Sequence, residues 1–176
     1  MLAAVTTSPG VMVVDEVPEP GPPGPRDVIV RPEAVGICGS DLHFYTGDTG
    51  ALSGARSVFP RIQGHEFSAV VEQRGRDCPG GLRPGDRVTV WPLRGCGRCY
   101  PCRAGRANAC VSLELVGIHR DGGLQQLLPV PASQVFGVIA QPASAGGWLR
   151  GSGLLRGTAP AAAQQVRRQE QLRLGA

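Results

Sequence analysis

Four cysteines within fifteen residues constrain this chain more than any other feature of its sequence. They follow the spacing Cys96-x2-Cys99-x2-Cys102-x7-Cys110, and glycines at 95, 97 and 105 let the backbone wrap around them. Four thiolates can close a tetrahedron around one zinc ion and leave no coordination position open for a substrate. The segment 95–110 is therefore predicted to be a structural zinc lobe.

Two other uses of these thiols stay open at this point. The first is a pair of disulfides or a set of free thiols, which the absence of a secretion signal makes less favourable, because disulfides are uncommon in reducing compartments. The second is a mononuclear iron or iron–sulfur centre, which also uses four thiolates, although the spacing found here is a less usual one for a cluster loop. Cys78 belongs to neither set and is expected to be a bystander in a turn.

A second group of metal-binding side chains lies upstream and consists of Cys38, His65 and Glu66. A thiolate, an imidazole and a carboxylate can bind a divalent ion and still leave a position open, which a catalytic zinc needs. The alternating segment 27–37 predicts a strand that delivers Cys38, and 67–73 predicts a strand that begins just after Glu66. Both donor groups are therefore expected at strand ends.

Turn residues indicate a mostly β fold. The chain has 26 glycines and 16 prolines but only 5% aromatic residues, which favours many turns and short strands over a helical bundle. About six strands, the last two at 124–128 and 133–138, predict a small barrel or sandwich. One short helix is expected after Cys38, capped by Ser40 or Asp41 and ending at Gly47.

The charge distribution argues against a nucleic-acid partner. The net charge is +4, but residues 1–122 hold 13 Arg and 13 acidic residues, and the excess comes from five Arg against Glu170 alone in 123–176. A neutral body without a basic stripe is poor support for phosphate binding. No signal peptide and no apolar run of membrane-spanning length occur in the sequence, so a cytoplasmic protein without a membrane contact is expected.

Taken together, these motifs resemble the zinc-containing medium-chain alcohol dehydrogenases. The resemblance covers residues 1–138 and implies a GroES-like β-barrel domain with short helices and a zinc-binding lobe. The segment from Ser40 to Tyr45 is more similar to polyol and threonine dehydrogenases than to ethanol-type enzymes. The matching pieces, in the order of the family, are Gly36-Ile-Cys38-Gly-Ser-Asp41-Leu-His43, Pro60-x-Ile-x-Gly64-His65-Glu66, Gly85-Asp-Arg-Val88, the four-cysteine lobe, and Gly122-Gly-Leu-Gln-Gln onward to Pro131.

The resemblance also implies a role for each residue of the second group. Cys38 and His65 would be ligands of a catalytic zinc, and Glu66 either a third ligand or one that moves on and off the metal. Asp41 would hydrogen-bond the ligating imidazole. Ser40 and His43 would pass the proton of the alcohol outward, although Ser40 can also be a mere helix cap and His43 a mere surface residue.

The implied function is NAD- or NADP-linked oxidation of a secondary alcohol or polyol, with one structural and one catalytic zinc. Family members are usually homo-oligomers and carry a Rossmann domain for the nicotinamide, which this sequence is expected to lack. The glycines from Gly151 to Gly157 do not follow the dinucleotide fingerprint, and the third zinc ligand of the second family domain has no counterpart.

The segment 139–176 is expected to be a tail of low order, because acidic residues and periodicity are lost there together. The hypothesis is a truncated or out-of-frame chain that is inactive alone. The alternative is a non-catalytic zinc-binding GroES-like module.

Overall fold

The protein is described by a computed structural model that covers residues 1–48, 58–79 and 81–138. Strands dominate these ranges, and the mostly β class is confirmed. The helices are α1 (Gly39–Thr46) and α2 (Tyr100–Arg103), with 3-10 turns at Ala107–Ala109 and Ala132–Gln134. The strands are β1 (Leu2–Ser8), β2 (Val11–Glu16), β3 (Asp27–Gly36), β4 (Arg61–Ile62), β5 (Glu66–Arg74), β6 (Arg87–Val90), β7 (Leu93–Arg94), β8 (Glu114–Leu115), β9 (Leu128–Pro131) and β10 (Val135–Gly137).

The strands form two sheets and a ribbon. One sheet has the order β10-β6-β5-β3-β9, the other has the order β2-β1-β4, and β7 pairs with β8. The core lies against the five-stranded sheet, where β5 and β6 bury alternate apolar residues and β3 buries the three consecutive residues Val28–Val30. The residues of this core include Val28, Val30, Phe67, Ala69, Val71, Val88 and Val90. Burial of such side chains is the main term that stabilises the fold.

The pairing of β3 with β5 positions the first candidate site. The two strands run antiparallel, and their register continues to the pair Gly36 and Glu66. The end of one strand is therefore beside the beginning of the other. Cys38 follows β3 and His65 precedes β5, so a register set by buried valines also brings the two side chains together.

One predicted strand is wrong. Residues 124–128 do not form a strand of the main sheet; β9 occupies Leu128–Pro131 and includes the two prolines that were expected to interrupt the chain. The prolines are tolerated because β9 is an edge strand, with β3 as its neighbour. Residues 124 and 126 instead bond to β1, since Leu124 O accepts the Ala4 N–H and Gln126 N–H donates to Leu2 O.

The predicted cap of α1 is also wrong, although the helix and its end at Gly47 are confirmed. The cap position is Cys38, whose N–H donates to Oδ2 of Asp41 at 3.0 Å. Asp41 can accept this bond because the third helical residue faces back toward the cap. Ser40 is thereby left for other contacts.

Some expectations concern residues that the structure does not describe. The tail 139–176 lies outside the described residues, and so do the low order and the out-of-frame origin that were expected of it. None of the helices in the described ranges has the length and apolar character that crossing a bilayer requires.

Candidate metal centres

The first centre joins the end of β3 to the start of β5. Its donors are Cys38, His65 and Glu66, and their ligand atoms all lie within 4.8 Å of one another. His65 is buried, Cys38 is partly exposed and Glu66 is exposed. The cluster therefore has one side toward solvent, as a site with an open coordination position requires.

Asp41 is the buried carboxylate beside His65. Its Oδ1 lies 3.3 Å from Nδ1 of His65, and that nitrogen makes no hydrogen bond of good geometry among the described residues. The same oxygen accepts the N–H of Gly64 at 3.3 Å. Because Asp41 also accepts the N–H of Cys38, one carboxylate contacts the chain on both sides of the cluster.

The charges of the metal-free cluster favour a thiolate next to an imidazolium. Burial disfavours the charged form of His65, but Asp41 and then Cys38 outweigh it and raise the pKa of His65 to about 9. Hydrogen bonds from the side chain and backbone of Ser40, together with His65, lower the pKa of the Cys38 thiol against the effect of burial. Because a metal ion takes the neutral imidazole and the thiolate, its binding has to displace a proton from His65.

The two residues of the expected proton relay lie in different surroundings. Oγ of Ser40 is 3.3 Å from Nε2 of His65, on the ring edge opposite Asp41. His43 lies on an exposed face of α1, with Nδ1 3.5 Å from Oδ2 of Asp48. The structure thus brings Ser40 to the cluster and pairs His43 with an acid, and the relay itself stays a prediction.

Two residues that support the cluster were missed by the sequence analysis. Gln63 is 1% exposed; it accepts the Thr6 hydroxyl at 2.6 Å and donates to the carbonyl of Asp41 at 2.8 Å. A Cβ on Gly36 would lie 3.2 Å from Oε2 of Glu66, so glycine leaves room for that carboxylate. A buried glutamine has no sequence signal of its own, whereas a glycine two residues before Cys38 was visible in the motif.

The second centre is the lobe between β7 and β8. The thiol sulfurs of Cys96, Cys99, Cys102 and Cys110 all lie within 4.8 Å of one another, and all four residues are free cysteines. The sulfurs of Cys99 and Cys110 are 3.8 Å apart. A tetrahedral zinc with Zn–S bonds of about 2.3 Å separates its sulfurs by about 3.8 Å, so this spacing fits zinc.

Backbone N–H groups turn toward the sulfurs of the lobe. Cys110 Sγ accepts from the N–H of Cys96 at 3.2 Å and of Ser112 at 3.3 Å. Bonds from the N–H groups of Arg98 and Cys99 lower the pKa of the Cys96 thiol to about 6. Burial and then the neighbouring Cys99 raise the pKa of the Cys102 thiol to about 12.

Shifts of the pKa in opposite directions at Cys96 and Cys102 are expected of thiols that lie close together without a cation. Some sulfurs become thiolates and others have to keep their protons, because like charges at this separation repel. A divalent ion removes the conflict, since it lets all four deprotonate. The donor chemistry of the lobe therefore fits a structural zinc.

Comparisons with known proteins identify the family of this chain. The family model described as the alcohol dehydrogenase GroES-like domain matches residues 24–140. A zinc-type alcohol dehydrogenase-like protein of Haemophilus influenzae is 44% identical over 124 residues, which are 70% of this chain and 34% of that protein. The L-threonine 3-dehydrogenase of Streptomyces avermitilis is 38% identical over 128 residues, 73% of this chain and 36% of that enzyme.

Two solved structures have the same fold. Galactitol-1-phosphate dehydrogenase from Escherichia coli superposes with a TM-score of 0.70 at 30% identity, over 82% of this chain and 39% of that one. The alcohol dehydrogenase RspB of Escherichia coli CFT073, solved with NADH, gives a TM-score of 0.69 at 34% identity, over 79% and 38%. The chain spans about a third of the length of the curated relatives it matches. By its sequence and its fold, this chain belongs to the zinc-type alcohol dehydrogenases through their GroES-like domain.

Proposed function

We propose that this chain supplies the zinc-carrying, alcohol-binding part of an NAD- or NADP-linked dehydrogenase for a secondary alcohol or polyol. The observation that supports this most is the open cluster of Cys38, His65 and Glu66, which occurs in addition to a four-cysteine lobe with no open position. A merely structural module needs only the lobe. The names of the relatives, a threonine and a galactitol phosphate dehydrogenase, support the substrate class.

Each residue of the cluster has a physical role in this proposal. Cys38 and His65 hold the metal, with Glu66 as third donor. When bound, zinc supplies a Lewis acid that polarises an alcohol oxygen and lowers its pKa. The hydroxyl of Ser40, beside Nε2 of His65, takes the proton of the alcohol, and His43 passes it to solvent from the exposed face of α1.

The nicotinamide is proposed to bind outside the described residues. All the pairs between named strands in the described ranges are antiparallel, whereas a dinucleotide site of the Rossmann type needs parallel strands joined by helices. The described part therefore binds metal and substrate, and the hydride acceptor comes from elsewhere in the working enzyme.

Zinc analysis tests the first part of the proposal. The folded chain is expected to hold two zinc ions, and His65→Ala is expected to hold one while it keeps its circular dichroism spectrum. One zinc in both proteins would instead support the alternative of a non-catalytic zinc-binding module.

A fusion tests the activity. Residues 1–138 are joined to the cofactor-binding segment of Escherichia coli RspB, and reduction of NAD or NADP is followed with a panel of polyols and L-threonine. Turnover that disappears in the Cys38→Ala fusion supports the proposal. A folded fusion that binds NADH and two zinc ions but turns over none of these alcohols contradicts it.

A further inference from the structure

A cleft of about 430 Å³ lies apart from both metal centres. None of the residues that line it is a donor of either centre. Its volume is in the range of small-molecule sites, about 300–1,000 Å³. Prolines at 18, 20, 129 and 131 border the cleft, and their fixed backbone torsions favour a preformed wall. A preformed cleft of this size can hold a small molecule if polar groups line it.

Two buried polar atoms without a partner belong to residues of this cleft. In the ranges that the structure describes, three buried side-chain N or O atoms lack a hydrogen-bond partner: Nε of Arg61, Nδ1 of His65 and Oε1 of Gln134. The atom of His65 belongs to the metal cluster, whereas Arg61 and Gln134 both line the cleft. Buried polar atoms without a partner are rare because each costs free energy, so two of them in residues of one cleft mark it as a place where a polar ligand can bind.

The orientation of Gln134 makes its free atom an acceptor. The residue is 6% exposed, and its Nε2 donates to the carbonyls of Trp91 at 2.7 Å and Leu93 at 3.3 Å. Exchange of the amide N and O would set oxygen against these two carbonyls. Trp91 and Leu93 border a second cleft that Gln134 also lines, so Gln134 lies at both clefts, with its nitrogen bonded to these two carbonyls and its Oε1 free.

Arg61 offers a donor that already carries a positive charge. Its side chain is 15% exposed, and Nη1 bonds Oδ1 of Asp121 at 3.1 Å. That oxygen also accepts the N–H of Ile62 at 3.2 Å, so Asp121 is shared between two donors. Arg120 and the terminal ammonium of Met1 belong to residues of the same cleft, and the charge of the cleft is therefore positive on balance.

We propose that this cleft binds a small oxyanion that also carries a hydroxyl group. The Nε–H of Arg61 donates to an anionic oxygen, and Oε1 of Gln134 accepts from the hydroxyl. Hydrogen phosphate and a hydroxycarboxylate such as glycolate both present this pair of groups. Sulfate and acetate are their matched counterparts, because at neutral pH they present anionic oxygens and no hydroxyl.

Calorimetric titration of the full, zinc-loaded chain at pH 7 tests the proposal. Phosphate is compared with sulfate, and glycolate with acetate. An affinity at least tenfold higher for the hydroxyl-bearing member of either pair supports the site, and the pair that shows it identifies the source of the oxyanion. Equal affinities within both pairs overturn the proposal. The proposal is also overturned if neither phosphate nor glycolate binds at a 10-fold molar excess over the chain, with the chain at its highest soluble concentration.

Variants assign the binding to the cleft. Arg61→Met is expected to lose at least tenfold in affinity, whereas Arg31→Met, which removes an exposed arginine paired with Glu72, is expected to bind as the wild type does. Arg61→Lys keeps the charge near Asp121 in case the methionine variant folds poorly, and it should bind more weakly than the wild type. Unchanged affinity in a folded Arg61→Met or Arg61→Lys chain contradicts the proposal, because an anion bound at a zinc centre would survive both changes.

Discussion

At the scale of residues, the open cluster depends on Asp41 more than on any other side chain that is not a donor. It accepts the N–H groups of Cys38 and Gly64 and lies against Nδ1 of His65. It is also 4% exposed, and a buried carboxylate is costly unless several donors satisfy it. The arrangement therefore fixes the direction in which His65 presents Nε2.

Replacement of Asp41 by asparagine should weaken only the open centre. The amide keeps the size of the carboxylate but loses the charge that aligns the imidazole, and such partners of a metal-binding histidine are worth roughly 10–100-fold in metal affinity. Competition with a chromophoric chelator measures the affinity of each centre. Asp15→Asn, a change on exposed β2, is the control. Equal zinc affinity in Asp41→Asn and wild type would show that the carboxylate does not position His65.

The raised pKa of His65 predicts a pH dependence of the metal-free chain. The pKa of about 9 in the folded chain lies above the ordinary histidine pKa of 6.5, so the stabilisation is fully present below pH 6.5 and is lost as the pH rises through 9. The wild type should be more stable to unfolding than His65→Asn at low pH. This difference in the free energy of unfolding should fall across the window, with a slope of at most about 1.4 kcal/mol per pH unit. Chemical unfolding at a series of pH values measures it. A difference that stays flat or rises across the window would contradict the ion pair with Asp41 and Cys38.

Residue type and spacing pointed to the side chains that the structure brings together, but not to the residues that support them. Cys38, His65 and Glu66 are residue types that bind metals, and the predicted strand ends indicated that they would lie close together. The role of Gln63 depends on burial next to Thr6, far away in the sequence. Such a contact has no local pattern, so it could not be predicted.

At the scale of elements, the lobe is held by its sulfurs rather than by packing. α2 has four residues and buries none of them, and the ribbon β7-β8 joins only two residue pairs. Segments with so little regular structure need a metal or a cross-link to stay folded. The loop 95–110 should therefore be the part of the described fold most sensitive to loss of zinc.

Cys99→Ser tests this dependence. Three thiolates hold zinc less well than four, so the lobe should lose its metal at chelator concentrations that leave the wild type intact, and limited proteolysis should then cut within 95–110. Cys78→Ser is the control, because the Cys78 thiol donates to the carbonyl of Asp27 and is not one of the four clustered sulfurs of the lobe. The same zinc content and protease resistance in Cys99→Ser and wild type would count against a structural zinc.

Another element-scale feature is the loop that crosses the segment before His65. The N–H groups of Gly122 and Gly123 donate to the carbonyls of Ile62 and Gly64, each at 2.8 Å. A Cβ on Gly122 would lie 2.2 Å from the carbonyl oxygen of Gly64. No side chain fits there unless the backbones separate.

Gly122→Ala should therefore destabilise the chain, by about 3 kcal/mol if the loop shifts only slightly, as overpacked cores do. Gly21→Ala is the matched control, because nothing lies within 4 Å of a Cβ at that position. Thermal and chemical unfolding compare the two. A Gly122→Ala chain as stable as Gly21→Ala would mean that the two segments are not in contact.

At the scale of the whole molecule, the sequence predicted a mostly β fold but not how its strands divide. Two-residue strands such as β4, β7 and β8 carry too few residues for a periodic pattern. The position of β9 was predicted wrongly because proline argues against a strand unless that strand lies at the edge of a sheet. Which strand lies at an edge depends on the assembled sheet. Motif order therefore revealed more about the sites than about the topology.

The two centres should also differ in how the fold responds to metal removal. The open centre has three donors, one of them on exposed Glu66, so a chelator can reach its ion and the sheets keep their hydrophobic core without it. The lobe encloses its ion in four sulfurs and has little other structure, so the loss of that ion should unfold 95–110.

A time course with EDTA tests this difference and is followed by zinc content, circular dichroism and proteolysis. One zinc is expected to leave first without a change in protease cleavage, and cleavage in the lobe should begin only when the second zinc leaves. Release of both ions in one step, together with cleavage of the lobe, would mean that the centres are not independent and that the cluster of Cys38, His65 and Glu66 is part of the structural support of the fold.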